Sequence, residues 1–195
     1  MDSPSDEPKK DPNPPGNEMG TFAQQFQHQP VAARVPERLG RPISTTGMLV
    51  LDGPNEFVLD FLQGLTRPHQ IVARVVVVPK VMEQIVTAAS ENLEKYVQAN
   101  GAPPALPKPP QKRPTIAEIY ENFKLPEEMM SGAYANSVMV GHSSAEFFFD
   151  FITGFYPTAA VSARVITAAH HMPRIVDTLK TALQQYRTRF SPPET

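Results

Sequence analysis

Residues 47–65 read GMLVLDGPNEFVLDFLQGL, and residues 137–155 read SVMVGHSSAEFFFDFITGF. Slid by 90 positions, the two stretches align without a gap: Glu56-Phe57 falls on Glu146-Phe147, Asp60-Phe61 on Asp150-Phe151, and Gly64 on Gly154. The register persists downstream. Ala73-Arg74-Val75 matches Ala163-Arg164-Val165, and Met82, Ile85, Val86, Leu93 and Tyr96 match Met172, Ile175, Val176, Leu183 and Tyr186. Of the 50 pairs from Met48 to Val97, 14 are identical; unrelated segments share roughly 5–7% at average residue usage. The chain therefore carries an internal repeat. A unit of ~55 residues is marginal for independent folding.

Each copy predicts three strands and a helix. A short strand (Gly47–Leu51, Asn136–Gly141) runs into a turn, Asp-Gly-Pro-Asn in the first copy and Gly-His-Ser-Ser in the second. A second strand follows (Glu56–Gln63, Glu146–Thr153), then a β-branched third (Ile71–Val78, Val161–Thr167). Pro79 and Pro173 suit the first turns of the closing helices. Met82, Ile85, Val86, Ala89, Leu93 and Tyr96 keep helical 3–4 spacing, as do Met172, Ile175, Val176, Leu179, Leu183 and Tyr186, and form apolar stripes for packing on a sheet. The fold class is α+β: two β-β-β-α repeats, 44–99 and 133–190, forming a pseudo-twofold pseudo-dimer. Both faces of the strands are largely apolar. One helix covers one face, so the other is expected to need a second layer, supplied by the second repeat or by true oligomerisation.

Around the repeats the composition changes. The 195 residues carry 22 prolines, a formal charge of −2 and no cysteine. Eight prolines fall in residues 1–45 and six in 103–114. Residues 1–43 are too polar and proline-rich to offset the entropy of ordering and are expected to be a disordered tail. Within it, Thr21–Gln29 (TFAQQFQHQ) holds Phe22 and Phe26 and reads either as a docking segment or as solvated tail. Residues 100–114 read as a semi-rigid polyproline linker, with P-x-x-P spacing of the kind recognition modules bind. Residues 115–132 form a connector in which Ile116, Ile119, Tyr120 and Phe123 have helical spacing and Pro126 ends the run, which predicts a short helix packed on the core.

The composition excludes several classes. No run of about 18 apolar residues spans a membrane. The opening MDSPSDEPKKDPNPPG lacks the apolar core of a secretory signal. Without cysteine there is no disulfide framework, thiolate metal site or cysteine nucleophile. Near-neutral charge argues against bulk electrostatic binding to nucleic acid or membrane. No histidine recurs at the 90-residue offset, and neither H-E-x-x-H spacing nor a nucleophile elbow is present. A metal site at His142, His170, His171 and Asp150 would need the fold to gather them; polar caps are the simpler reading. No catalytic residue, metal ligand or cofactor is expected. Asp60 and Arg74 are each the single charge inside an apolar strand, and both recur as Asp150 and Arg164. Asp–Arg pairs on one sheet face explain this, since a lone buried charge is costly and a paired one tolerable; the other reading has the arginines present guanidinium groups to an anion. Glu56 and Glu146, at strand starts, are undecided.

These residues resemble a family. ANSVMVGHSSAEFFFDF, then ARV, then a Met/Ile/Leu-striped helix ending in tyrosine, is similar to the bacterial and archaeal "domain of unknown function 3467", whose members read A-N-x-V-x-V, S-x-x-E-F-x-x-D-F, A-R-V and a helix. The match covers Tyr134–Arg189 and, with departures, Thr46–Val97: Ala135-Asn136 become Thr45-Thr46, and Ser143 becomes Gly53. The typical member is a single unit, so a tandem copy departs from the pattern. The resemblance implies a small cytoplasmic prokaryotic protein and carries over no catalytic residue. Two functions follow as expectations: a non-enzymatic scaffold or adaptor that binds another protein or itself, or a module for single-stranded nucleic acid. The second would use the basic cluster at Lys108, Lys112 and Arg113 with Arg187 and Arg189.

Overall fold

The structure, a computed structural model, describes residues 33–65, 68–107, 115–155 and 158–190. In chain order the elements are β1 (Ile43–Thr45), β2 (Gly47–Asp52), β3 (Phe57–Gln63), β4 (His69–Val77), α1 (Pro79–Asn100), α2 (Ile116–Asn122), β5 (Phe123–Lys124), β6 (Ala133–Ala135), β7 (Ser137–His142), β8 (Glu146–Thr153), β9 (Ala160–Ala168) and α3 (Met172–Phe190). The β-β-β-α order of both repeats stands. β2, β3 and β4 pair as an antiparallel meander, and β7, β8 and β9 repeat it. Both meanders shift register at the same place, Phe61/Leu62 and Phe151/Ile152.

Each repeat lends the other a strand. β1 pairs parallel with β9, and β6 pairs parallel with β4. Parallel neighbours need a crossover; here α1 and the connector separate β4 from β6, and more than a whole repeat separates β1 from β9. The leading stretches match further upstream. Arg34 bridges Ala160, and Lys124 of β5 pairs with Gln70. Turns of 3-10 helix follow at Glu37–Leu39 and Glu127–Met129. Residues 33–43, expected in the disordered tail, are thus part of the fold, with Leu39 buried; the tail expectation for residues 1–32 lies outside the described residues.

The helices are exchanged too. α1 lies against β7 and α3 against β2, and the two helices touch. The tyrosine that ends each apolar stripe fixes this. The Tyr96 ring sits 5.1 Å from Phe147, and its hydroxyl donates to the Ser144 carbonyl at 3.0 Å. Tyr186 mirrors it, 4.9 Å from Phe57 and donating to the Pro54 carbonyl at 3.0 Å. Each such bond contributes ~1 kcal/mol and, more to the point, selects the partner repeat's turn as the docking point.

Strand alternation decides what is inside. Phe57, Leu59, Phe61, Val75 and Val77 of one sheet and Phe147, Phe149, Phe151 and Val165 of the other belong to one core with both helices. Phe61 approaches Phe149 and Phe151 at 6.2 and 5.5 Å. The expectation that each sheet has helix on one face and the second repeat on the other is corrected. Helices and opposing sheet share the same inner faces, because the exchanged strands close the two sheets around one interior. The outer faces, with Val58, Leu62, Val72 and Val76, stay half-buried.

Candidate functional site

The outer faces carry the repeated charges. Alternation puts Asp60 beside Val58 and Leu62, and register places it directly opposite Arg74. Arg74 Nε donates to Asp60 Oδ1 at 2.7 Å and Nη2 to Oδ2 at 2.8 Å. The second copy has the same fork: Arg164 Nε to Asp150 Oδ1 and Nη2 to Oδ2, both 2.6 Å. The geometry is bidentate and suits a guanidinium, which a lysine could not reproduce. Asp60 and Asp150 are buried, so the arginines are what make their charge tolerable. In return the hydrogen bonds to the carboxylates hold both arginines above their already high ordinary pKa, against the opposing cost of burial.

The two forks differ in what lies over them. α2 begins with a capping box, Thr115 and Glu118 each bonding the other's backbone N–H. Its Tyr120 reaches the outer face of the first sheet, where the helical spacing predicted a helix packed on the core. Phe123 is not in this helix; it enters β5, with its ring tilted 5.2 Å from that of His69. Tyr120 donates its hydroxyl to Asp60 Oδ2 and accepts from Arg74 Nη2 at 3.2 Å. Burial, and then the bond to Asp60, push the Tyr120 phenol up to about 12. Arg74 Nη1 donates to the Met130 carbonyl at 3.1 Å. Gly132, at φ 71°, lets the backbone pass close: a Cβ there would stand 2.9 Å from Arg74 Cγ and Val76 Cγ2.

On the second sheet, Arg164 has no partner but Asp150 among the described residues. Its side chain is 24% exposed, against 15% for Arg74. Met139, opposite Asp150, is 49% exposed, whereas the equivalent Leu49 is half-buried. Phe148 lies over Gly141, where a Cβ would meet its ring at 2.3 Å. Phe148 and Ile166 pair across the strands, so the open face is an apolar patch around a salt bridge.

The remaining candidates are scattered. Glu56 and Glu146 are exposed at the turns. His142 lies against α1, its Nδ1 3.3 Å from Asn92 Oδ1. The His170 and His171 rings are in tilted contact, and burial, with the neighbouring His170 and Arg174, pushes the His171 pKa down. Among the described residues no three His, Asp or Glu side chains converge as a metal site. Phe22, Phe26, Lys108, Lys112 and Arg113 lie outside the described residues. Arg187 and Arg189 are taken up in exposed pairs with Glu83 and Asp52. Sequence reading missed Tyr120 and Met130 as partners of the fork; the helical spacing in the connector marked Tyr120 as apolar and left its hydroxyl unassigned.

A family model described as "Protein of unknown function (DUF3467)" matches the chain twice, over residues 5–102 and 106–193. The chain belongs to the DUF3467 family. Both matches start well before the meanders, so the DUF3467 unit takes in the segments that lead to β1 and β6. A search of curated proteins found no match. Among the described residues of this DUF3467 tandem, no helix is long and apolar enough to cross a membrane.

Proposed function

We propose that this protein is a non-enzymatic interaction module that docks another polypeptide on the outer face of its second sheet. One observation carries the reading: the protein itself uses the matching face of the first sheet in this way, seating α2 on the Asp60–Arg74 fork through Tyr120. The equivalent face, with Met139, Phe148 and Ile166 around Asp150–Arg164, has the same strand geometry and an arginine with an unfilled Nη1 among the described residues. An apolar patch rimming a satisfied ion pair suits a short amphipathic segment bearing an aromatic residue.

The alternative, a single-stranded nucleic-acid module, needs exposed aromatics for base stacking beside a basic groove. The strand phenylalanines at 57, 61, 147, 149 and 151 are fully buried, and the exposed rings of Tyr134 and Phe155 are stacked on each other, which favours the protein-docking reading. A photo-crosslinking residue, p-benzoylphenylalanine, placed at Met139 in cells of the native host tests it, with Gln185 on the solvent side of α3 as control. Adducts to a defined polypeptide from position 139 and not from 185 are expected; equal or absent capture at both overturns the reading. Anisotropy titration of the purified protein with single-stranded DNA and RNA at two salt concentrations discriminates the alternative, since tight, salt-sensitive binding reverses the order.

A further inference from the structure

The segment just before residue 33 resembles the segment that covers the first sheet. Residues 21–28 read T-F-A-Q-Q-F-Q-H, and residues 115–122 read T-I-A-E-I-Y-E-N. Threonine and alanine are identical. Phe22 replaces Ile116, Gln24 replaces Glu118, Gln25 replaces Ile119, Phe26 replaces Tyr120, Gln27 replaces Glu121 and His28 replaces Asn122. Thr21 with Gln24 satisfies the capping-box pattern that Thr115 and Glu118 form at the start of α2. The offset is 94 rather than 90, so residues 29–32 are an insertion relative to the second copy.

Where the chain enters the fold, the two copies are superposable in topology. Arg34 meets Ala160 on β9 as Lys124 meets Gln70 on β4, each pair 90 residues from the other. A 3-10 turn and a parallel strand follow in both. Upstream of Lys124 the chain is α2, lying over Asp60–Arg74. Upstream of Arg34 is the related sequence, and the equivalent face is uncovered among the described residues. From Phe26 to Arg34 there are four residues more than from Tyr120 to Lys124, which adds up to roughly 13 Å of reach and removes none.

We propose that Thr21–His28 docks in cis as a short helix on the outer face of the second sheet, with the Phe26 ring over the Asp150–Arg164 fork where Tyr120 stands over Asp60–Arg74. Arg74 already stacks 6.0 Å from the Tyr120 ring centroid, so a guanidinium-to-ring contact is available to Arg164 and Phe26. Phenylalanine supplies the ring without the hydroxyl, so Asp150 gains no third bond and the segment is held less firmly than α2. The inference rests on the reading of this face as a docking surface and names its resident: a segment of the chain that an outside polypeptide with the same pattern of aromatic and small residues must displace.

Photo-crosslinking in the purified full-length protein with p-benzoylphenylalanine at Met139 tests it. Adducts within one chain to residues 21–28 are expected, lost in a second variant that adds Phe26→Ala. Hydrogen exchange on the wild-type chain should show amides 22–28 protected at all protein concentrations, with protection lost in Phe26→Ala while amides 117–122 keep theirs. Adducts between chains, with protection that fades on dilution, overturn the cis arrangement in favour of exchange between copies. Unprotected amides and no adduct to residues 21–28 overturn the proposal outright. If position 139 still captures a partner in cells, the docking face stands without this resident; if it captures nothing there either, both readings fall.

Discussion

Over the first sheet, Tyr120, the Met130 carbonyl and Gly132 close around Asp60 and Arg74; over the second, Asp150 and Arg164 hold the same fork with no third partner among the described residues. The contrast separates two kinds of information in a duplicated sequence. The fork is written into strand alternation and register, so duplication copied it intact. The cover is written into the lead-in segment, where the copies have diverged. Gly132 is matched by Pro42 and Met130 by Gly40. A proline at φ near −65° cannot take the left-handed turn that brings residues 130–132 down onto Arg74. Repeated residues thus mark the frame, and the unrepeated ones mark where the two faces part company.

The harshest way to break the comparison is to cut the halves apart. Residues 44–99 and 133–190 expressed separately each lose an exchanged strand and the helix that caps their sheet, so each should be unfolded or self-associated by sedimentation and circular dichroism. Two stable monomers would mean that the exchange is not what holds the core together. Next is the fork itself. Arg74→Met leaves Asp60 buried and unpaired and should cost ~3–5 kcal/mol, while Asp60→Leu with Arg74→Met recovers much of it. Arg164→Met should cost less, because that arginine is the more exposed and has lost fewer bonds. Equal melting temperatures for Arg74→Met and Arg164→Met would show that the cover adds nothing. If Arg74→Met leaves the melting temperature of the wild type and abolishes binding of an anion or partner, the arginine is a recognition residue instead.

Gly132→Ala probes the cover alone. It forces a left-handed alanine against Arg74 and Val76 and should cost roughly 1–2 kcal/mol, read in the chemical denaturation midpoint. Pro42→Gly, at the matching position, should cost less than ~1 kcal/mol through the freer unfolded chain. A further effect is in pH. The Tyr120 phenol, pushed up to about 12 in the fold, returns to about 10 when the chain unfolds. The folded state therefore keeps a proton that the unfolded state has lost. The contribution of Tyr120 is whole below about pH 10 and fades as pH rises towards 12. Phenolate absorbance should show one tyrosine titrating late, and Tyr120→Phe should remove that late step.

The repeat, the order of its elements and the face shared by Asp60 and Arg74 were all legible from spacing, because alternation states which side a residue takes. It does not state which repeat that side meets. The helix stripes therefore read correctly as packing surfaces while their true partners, β7 for α1 and β2 for α3, stayed hidden. β1 and β6 were missed because three residues are too few to show alternation. The half-buried valines of the outer faces read as a demand for a second layer; β-branched residues also suit a pleat that is only partly covered. The likeness of residues 21–28 to 115–122 does not show at a constant offset because it lies four residues out of step.

The exchanged strands also set a timetable for synthesis. β4 waits for its parallel neighbour until Ala133–Ala135 has been made, and β1 waits until Val165–Thr167. At about 5–20 residues per second, the first interval lasts roughly 3–12 s and the second roughly 6–24 s. Through that time a nascent chain carries a finished meander with a bare β-branched edge, Val75–Val77, open to any strand that passes. On a polysome the nearest such strands belong to neighbouring copies of the same chain. The helix that seals the first sheet, α3, emerges after the whole second meander, so the chain commits to its own second half only once Met172–Phe190 has been made.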